Sequence, residues 1–87
     1  MEERRYLIDW FAAKNPVPGD TDEQKAEVDF FAAGLIDSFG VIELLSAVEE
    51  HFAIHFSDLH FQDRRFPFVG GLADIIREIR EQEGHGQ

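Results

Sequence analysis

Apolar residues recur at helical spacing in three stretches of the chain, and each stretch predicts one helix. The first stripe predicts a helix over about residues 4–14, and it consists of Tyr6, Leu7, Trp10 and Phe11. The segment Asn15-Pro16-Val17-Pro18-Gly19 ends this helix. Proline cannot continue a helix, and it keeps the residue before it out of the helical region.

The second stretch predicts an amphipathic helix over residues 38–52. At about 100° per residue, one face of this helix is apolar, and it carries Val41, Leu44, Leu45, Val48 and Phe52. The opposite face carries Phe39, Glu43, Ser46 and Glu50. The aromatic ring of Phe39 among carboxylates has two interpretations. Single exposed apolar residues are common, but the ring also suits a hydrophobic contact with a docking protein.

The third stripe predicts a helix over about residues 71–83, and it consists of Leu72, Ile75, Ile76 and Ile79. Residues 57–66 predict a short helix or a loop. The segment Phe66-Pro67-Phe68-Val69-Gly70-Gly71 predicts a break with a turn at the glycines. After the third stripe, Gly84-His85-Gly86-Gln87 predicts a frayed end.

A long connection over residues 15–37 joins the first two predicted helices. Residues 22–28 have room for a helical turn or two, and we expect Phe30 and Phe31 to anchor the loop to the core. A loop of this length is uncommon in a small domain unless it has a function or packing of its own. We therefore predict an all-α fold: a single domain over residues 1–87, built as a small four-helix bundle with three longer helices and one short one.

Composition excludes several classes of protein. The chain has no cysteine, which excludes a disulfide scaffold, a cysteine-bound zinc site and a thiol nucleophile of its own. It begins with charged residues instead of the apolar run of a signal peptide. No stretch approaches the roughly 20 apolar residues of a membrane span. We therefore expect a cytoplasmic protein.

The acidic residues are unevenly distributed. The net charge is −10, and residues 17–60 hold ten acids and one base, Lys25, which gives −9. Such a charge disfavours nucleic acid and favours protein partners with basic surfaces. The alternative is a solvated acidic face that only aids solubility.

Asp37 and Ser38 stand where the second predicted helix begins. The simplest interpretation is a helix cap, because aspartate and serine are among the residues most favoured there. A phosphate ester on Ser38 would also be well placed, since the first backbone N–H groups of a helix are unpaired and carry partial positive charge.

Metal and catalytic sites find little support in the sequence. His51 and His55 are four residues apart with His60 nearby, but we expect the helix to end before His55. The segment Asp20-Thr21-Asp22-Glu23-Gln24-Lys25 lacks the third acidic ligand and the glycine of a calcium loop. No set of nucleophile, base and orienting group is evident. A small hydrolase or metal protein is thus the weakest hypothesis, and we predict no metal site.

The ordered pattern around Ser38 resembles the acyl carrier protein family. The matching segments are Gly34-Leu35-Ile36-Asp37-Ser38-Phe39, Ile42-Glu43-Leu44, Ala47-Val48-Glu49-Glu50-His51-Phe52 and Ile54-His55-Phe56-Ser57-Asp58. An Asp-Ser pair alone is weak, but the ordered set is specific. The form around Ser38 looks more like stand-alone carriers of specialised pathways, including D-alanyl carrier proteins, than the housekeeping fatty-acid carrier. Position 40 is Gly, whereas many fatty-acid carriers have an acidic residue at this position.

This resemblance implies a carrier that is not itself an enzyme. Ser38, next to Asp37, would bear a 4′-phosphopantetheine arm that a phosphopantetheinyl transferase supplies from coenzyme A. The arm would hold acyl or aminoacyl groups as thioesters, loaded by a ligase and passed to downstream enzymes. The residues that would dock on basic partner surfaces are Phe39, Ile42, Glu43, Ser46, Glu49 and Glu50. We expect a monomer. The alternative is an unmodified acidic interaction module in which Ser38 only caps the helix.

Overall fold

The computed structural model describes residues 2–85, and the side chains of residues 2–82. Within that range the chain forms five helices, which are α1 (Glu2–Ala12), α2 (Asp22–Ala26), α3 (Ser38–Phe52), α4 (Asp58–Phe61) and α5 (Val69–His85). The predicted all-α class is confirmed, and the three long helices form a bundle around one core. The count differs from the predicted four because α2 forms inside the expected loop. Within residues 2–85, the only β-type pairing is an isolated antiparallel bridge between Asp29 and Phe68.

The long connection is held by local hydrogen bonds and by one buried ring. Thr21 caps α2, since its hydroxyl oxygen accepts the backbone N–H of Gln24 at 3.2 Å. Farther along, Phe30 is fully buried and its N–H donates to the carbonyl of Pro67 at 2.9 Å. Phe30 therefore anchors the loop as expected. Phe31 is 42% exposed, so the prediction that it also anchors the loop is wrong.

The glycines before the third apolar stripe lie inside α5, so the predicted turn at this position is wrong. The helix begins at Val69, two residues before the predicted start. A Cβ at Gly70 would lie 2.7 Å from the Cβ of Ala26, and a Cβ at Gly71 would overlap the backbone of Arg65. Both glycines thus allow close packing of α5 against earlier segments. At its other end α5 continues to His85, so Gly84 and His85 are helical, while residues 86–87 of the predicted frayed end lie outside the described residues.

The core gathers the predicted stripes of the long helices around Phe30. Leu44 and Val48 of α3 are fully buried, and Val41, Leu45 and Phe52 pack against the core at half exposure. The other central side chains are Leu7, Ile8, Phe11, Ile54, Leu72, Ile75 and Ile76. Helix α1 covers residues 2–12 instead of 4–14, and Glu2 and Glu3 in its first turn suit the positive end of the helix dipole. Within residues 2–85, no helix combines the length and the apolar character needed to cross a bilayer.

Candidate attachment site and docking surface

Ser38 is the first residue of α3, and its side chain is exposed. The residue before it, Asp37, is the N-cap: its Oδ1 accepts the N–H of Gly40 at 2.7 Å, with the Asp37 backbone extended (φ −105°). The sequence could not tell which of the two residues caps the helix. Because Asp37 fills the capping position, the Ser38 hydroxyl stands at a helix N-terminus without serving as its cap.

Gly40 lies where the loop closely approaches the first turn of α3. A Cβ at position 40 would lie 2.7 Å from Cγ1 of Ile36 and 3.2 Å from Oδ1 of Asp37. A side chain there would therefore push against both Ile36 and the cap that defines where Ser38 sits.

A cleft of about 520 Å³ opens between the end of α1, the loop before α3 and the first turns of α3. Its walls include Trp10, Leu35, Ile36, Asp37, Phe39, Gly40 and Glu43. Lys14 crosses the cleft: its Nζ lies 4.5 Å from the centroid of the Trp10 ring and 3.6 Å from Oε2 of Glu43. Both members of this ion pair are half exposed, so the pair is readily exchanged.

The outer face of α3 carries two strongly exposed apolar side chains, Phe39 at 72% and Ile42 at 62%. Among the predicted docking residues, Ser46, Glu43 and Glu50 are exposed as well. Phe39 points away from the core stripe, as the periodicity predicted, and lies among carboxylates. The face thus combines apolar contact area with negative charge.

Glu49 differs from the other acidic residues predicted for docking. It is half-buried, and its Oε2 accepts the backbone N–H of Phe56 at 2.9 Å. This bond ties the end of α3 to the link that follows it. The structure therefore gives Glu49 an internal role, whereas Glu50 next to it is exposed.

Two exposed apolar residues of α4 escaped the sequence analysis. Leu59 is 76% exposed and Phe61 is 47% exposed. A helix of four residues is too short to show a stripe, so no periodic signal could have separated its outward side from its inward side. In α4 the ring of His60 receives the N–H of Ser57 on Nδ1 at 2.9 Å, which fixes the start of the helix.

Two of the three histidines considered as metal ligands, His51 and His60, make separate contacts. His51 stacks on the ring of Tyr6 with 4.3 Å between centroids, while His60 accepts the Ser57 N–H. Among the described residues, no group of three or more histidine or acidic side chains has the arrangement of a metal site.

The clearest pKa shifts belong to groups that do not line this cleft. Hydrogen bonds from Arg65 lower the pKa of Asp63 to about 2 and also lower the pKa of Glu78. Burial raises the pKa of Tyr6, with a further contribution from the charge of Glu50. Of these contacts, the bond from Arg65 to Glu78 ties the segment before α5 to that helix.

Comparison with known proteins agrees with this site. The family model described as "Phosphopantetheine attachment site" matches residues 7–76. The chain is 43% identical over 80 residues to the D-alanyl carrier protein of Bacillus velezensis, covering 92% of this chain and all of that protein. It is 46% identical over 61 residues to the D-alanyl carrier protein of Bacillus licheniformis, covering 70% of this chain and 78% of that protein. No solved structure matches. The resemblance read from the motif is thereby confirmed, and the chain belongs to the family of carrier proteins whose domain bears a covalently attached 4′-phosphopantetheine.

Proposed function

We propose that Ser38 is the residue to which the 4′-phosphopantetheine is attached. The observation that carries this proposal is the exposed Ser38 hydroxyl at the start of α3, with Asp37 in the capping position. In the transfer, the Ser38 oxygen bonds to the phosphorus that bears the pantetheine. The bond from that phosphorus to the adenosine-bearing phosphate breaks, and the serine proton passes to a base on the transferase. Adenosine 3′,5′-bisphosphate leaves.

The surroundings of Ser38 suit the product of this reaction. The phosphodiester would lie at the positive end of α3, an interaction worth about 0.3–1 kcal/mol at an exposed site. The exposed hydroxyl of Ser38 is accessible to a docking enzyme. When attached, the arm supplies a terminal thiol, which this cysteine-free chain otherwise lacks.

Intact mass spectrometry tests this proposal. The native chain, Ser38→Ala and Ser46→Ala are each incubated with coenzyme A, Mg²⁺ and a broad-specificity phosphopantetheinyl transferase. Ser46 is a second exposed serine of α3 and serves as the matched control. The masses are read at the end point, because a weakened docking contact at Ser46 would slow the modification without preventing it. We expect the native chain and Ser46→Ala to gain one phosphopantetheine and Ser38→Ala to gain none. Gain on Ser38→Ala would contradict the assignment. No gain on the folded native chain, with a transferase from the same source, would favour the unmodified interaction module.

We further propose that the cargo is a D-alanyl group. Both curated relatives are named D-alanyl carrier proteins, and one matches over its full length. The test incubates the holo-carrier with ATP, a D-alanine-activating ligase and either D-alanine or L-alanine. A mass gain of one alanyl group with D-alanine alone supports the proposal, and the gain should disappear with hydroxylamine, which cleaves thioesters. Loading with L-alanine or with fatty acids instead would contradict it.

The docking surface that we propose for the transferase and the ligase consists of Phe39, Ile42, Glu43, Ser46 and Glu50. Its carboxylates would meet basic patches on the partner and mainly accelerate encounter, which suits a shuttle that must also dissociate. Raising the salt concentration should therefore increase the KM of each partner enzyme for the carrier. A KM that is independent of salt would contradict the acidic part of this surface.

The remaining predictions concern the domain organisation, the oligomeric state and the cellular location of the protein. We expect residues 1–87 to act as one carrier domain and as a monomer, which size-exclusion chromatography with light scattering tests. We expect the carrier to work in the cytoplasm, where coenzyme A and the transferase meet it. Fractionation that finds it elsewhere would contradict this. The chemistry of loading and transfer would be supplied by the partner enzymes.

A further inference from the structure

The side chain of His60 closes the start of α4. The backbone N–H of Ser57, the residue before the helix, donates to Nδ1 of His60 at 2.9 Å, and Oγ of Ser57 lies 3.2 Å from the same nitrogen. The backbone N–H of His60 donates in turn to the carbonyl of Ser57 at 3.0 Å. A glutamate or glutamine commonly fills this third helical position, where its side-chain oxygen accepts the N–H of the capping residue. In this protein the acceptor is an imidazole nitrogen.

This hydrogen bond requires one protonation state of His60. A ring nitrogen accepts an N–H only when it carries no proton itself, so the imidazole is neutral and its proton is on Nε2. The imidazolium form carries a proton on both ring nitrogens. No rotation of the protonated ring therefore restores the acceptor. Because histidine changes its charge between about pH 5 and pH 8, mild acid removes the bond.

The start of α4 has few other contacts that hold it. The helix has four residues and none of them is buried, and so short a helix is marginal on its own. Its end is tied to the core, because the ring of Phe61 packs on the buried ring of Phe66 with 5.5 Å between centroids. At its start, the side chain of Leu59 is 76% exposed. The cap by His60 is therefore a large part of what orders this end of the helix.

The carboxylates around His60 leave the protonated ring free to turn outward. Hydrogen bonds from Arg65 lower the pKa of Asp63 to about 2, and the charge of a protonated His60 contributes in the same direction. Asp58 on α4 itself is exposed. On α3, Glu49 is held by its backbone hydrogen bond to the link. The ring of a protonated His60 can thus donate towards Asp58 and Asp63, which further separates it from the Ser57 N–H.

We propose that α4 is an acid-sensitive element of this domain, held at its start by the neutral form of His60. At pH 8 the Ser57 N–H is paired and the start of the helix is formed. Towards pH 5 that bond is lost and residues 57–60 leave the helical conformation more often, while Phe61 keeps the end of the helix on the core. Acid then changes where the exposed side chain of Leu59 is presented. This inference stands whether or not Ser38 carries an arm.

Nuclear magnetic resonance of the unmodified chain tests this proposal between pH 8 and pH 5. Histidines titrate in this window, whereas most carboxylates, with ordinary pKa values of about 4, stay charged. At pH 8 we expect the Nε2–H tautomer of His60 and helical ¹³Cα shifts at Asp58 and Leu59. The helical part of these shifts should fall by at least about a third on acidification, in step with the titration of the His60 ring. An Nδ1–H tautomer at pH 8, or shifts that stay constant while His60 titrates, would overturn the proposal.

Substitutions of two histidines provide the matched control. His60→Gln places an acceptor that is uncharged at every pH in a position that suits glutamine, so the shifts of Asp58 and Leu59 should no longer respond to acid. His60→Ala removes the acceptor, and it should show the shifts of the acid form throughout the titration. His55→Gln removes an exposed histidine outside the cap and should leave the response of the native chain unchanged. A response that persists in His60→Gln, or that His55→Gln abolishes equally, would overturn the role of His60.

Discussion

Two parts of this molecule use carboxylates in different ways. In residues 2–16 and 61–82 all seven acidic side chains lie within salt-bridge distance of an arginine. In residues 17–60, which we call the acidic region, only Asp22 and Glu43 of the ten acids have a basic partner among the described side chains. The acidic region therefore differs from the rest of the chain in two ways: it holds more acidic residues, and fewer of them form ion pairs.

The unpaired acids of the acidic region fall into two groups. Asp29, Asp37 and Glu49 accept backbone N–H groups, so their charges serve turns and caps. Glu50 on α3 has neither a basic partner nor an internal hydrogen bond among the described residues, and it is exposed. The comparison therefore leaves Glu50 and, through its exchangeable pair, Glu43 as the glutamates of the docking surface that we propose on α3. Elsewhere in the molecule the described carboxylates are paired, and the pairs of Glu2 and Glu3 with Arg80 join α1 to α5.

The largest expected effect is the loss of the ion pair between α1 and α5. Arg80 donates to Glu3 at 2.6 Å, and Glu3 is only 6% exposed. Its guanidinium also lies 4.7 Å from the ring of Phe52. Arg80→Ala leaves a buried carboxylate without its partner and should lower the free energy of unfolding by about 2–3 kcal/mol. Urea denaturation measures the change.

Arg77→Ala is the control for this prediction. Among the side chains of residues 2–82, Arg77 pairs only with Asp74 and Glu81 of its own helix, at 3.7 and 3.9 Å. We expect a loss of about 0.5 kcal/mol or less, as for other exposed pairs. Equal losses for the two variants would contradict a structural role of the pairing between α1 and α5.

The next effect is a dependence of stability on pH that Arg65 creates. Its hydrogen bonds to Asp63 and Glu78 lower both pKa values, that of Asp63 to about 2. A carboxyl group whose pKa is lowered in the folded state stabilises the fold at pH values above its unfolded pKa of about 4. This stabilisation is lost as the pH falls towards 2. Arg65→Ala should cost about 1 kcal/mol at pH 7, and the difference from the native chain should shrink below pH 4. A difference that stays constant from pH 7 to pH 2 would contradict this account.

A smaller effect on stability distinguishes the capping hydrogen bond of Asp37 from the negative charge of its side chain. Asp37→Ala removes the acceptor of the Gly40 N–H and should cost about 1 kcal/mol. Asp37→Asn keeps an oxygen acceptor without the negative charge and should be nearly neutral, since both residues cap helices well. Thermal denaturation of the two variants checks this, and similar losses would show that the charge of Asp37, and not its cap, stabilises α3.

The sequence predicted the features that periodicity can encode. The stripe of α3 placed Leu44 and Val48 inside and Phe39 outside, because a helix of fifteen residues repeats its pattern several times. Helix α2 has five residues and none of them is buried, so it left no stripe to detect. Gly70 and Gly71 suggested a turn because their packing partners, Ala26 and Arg65, lie on other segments.

The candidate site was likewise predictable only in part. The ordered motif identified the family and singled out Ser38, but both Asp37 and Ser38 are good capping residues, and only the geometry assigned the cap. Glu49 and Glu50 are adjacent and chemically alike in the sequence. Their different roles depend on the backbone N–H of Phe56, which the fold brings to Glu49 alone.

The most direct test of the contrast between the two parts compares Glu50→Gln with Glu78→Gln in two assays. Each substitution removes one negative charge from a glutamate on a long helix. We predict that Glu50→Gln lowers the kcat/KM of the transferase several-fold at low salt and changes the stability by less than about 0.5 kcal/mol. Glu78→Gln, which loses the charge paired with Arg65, should lower the stability by about 1 kcal/mol and leave kcat/KM unchanged. The account is contradicted if the two variants have the same kcat/KM, or if Glu50→Gln is the less stable of the two.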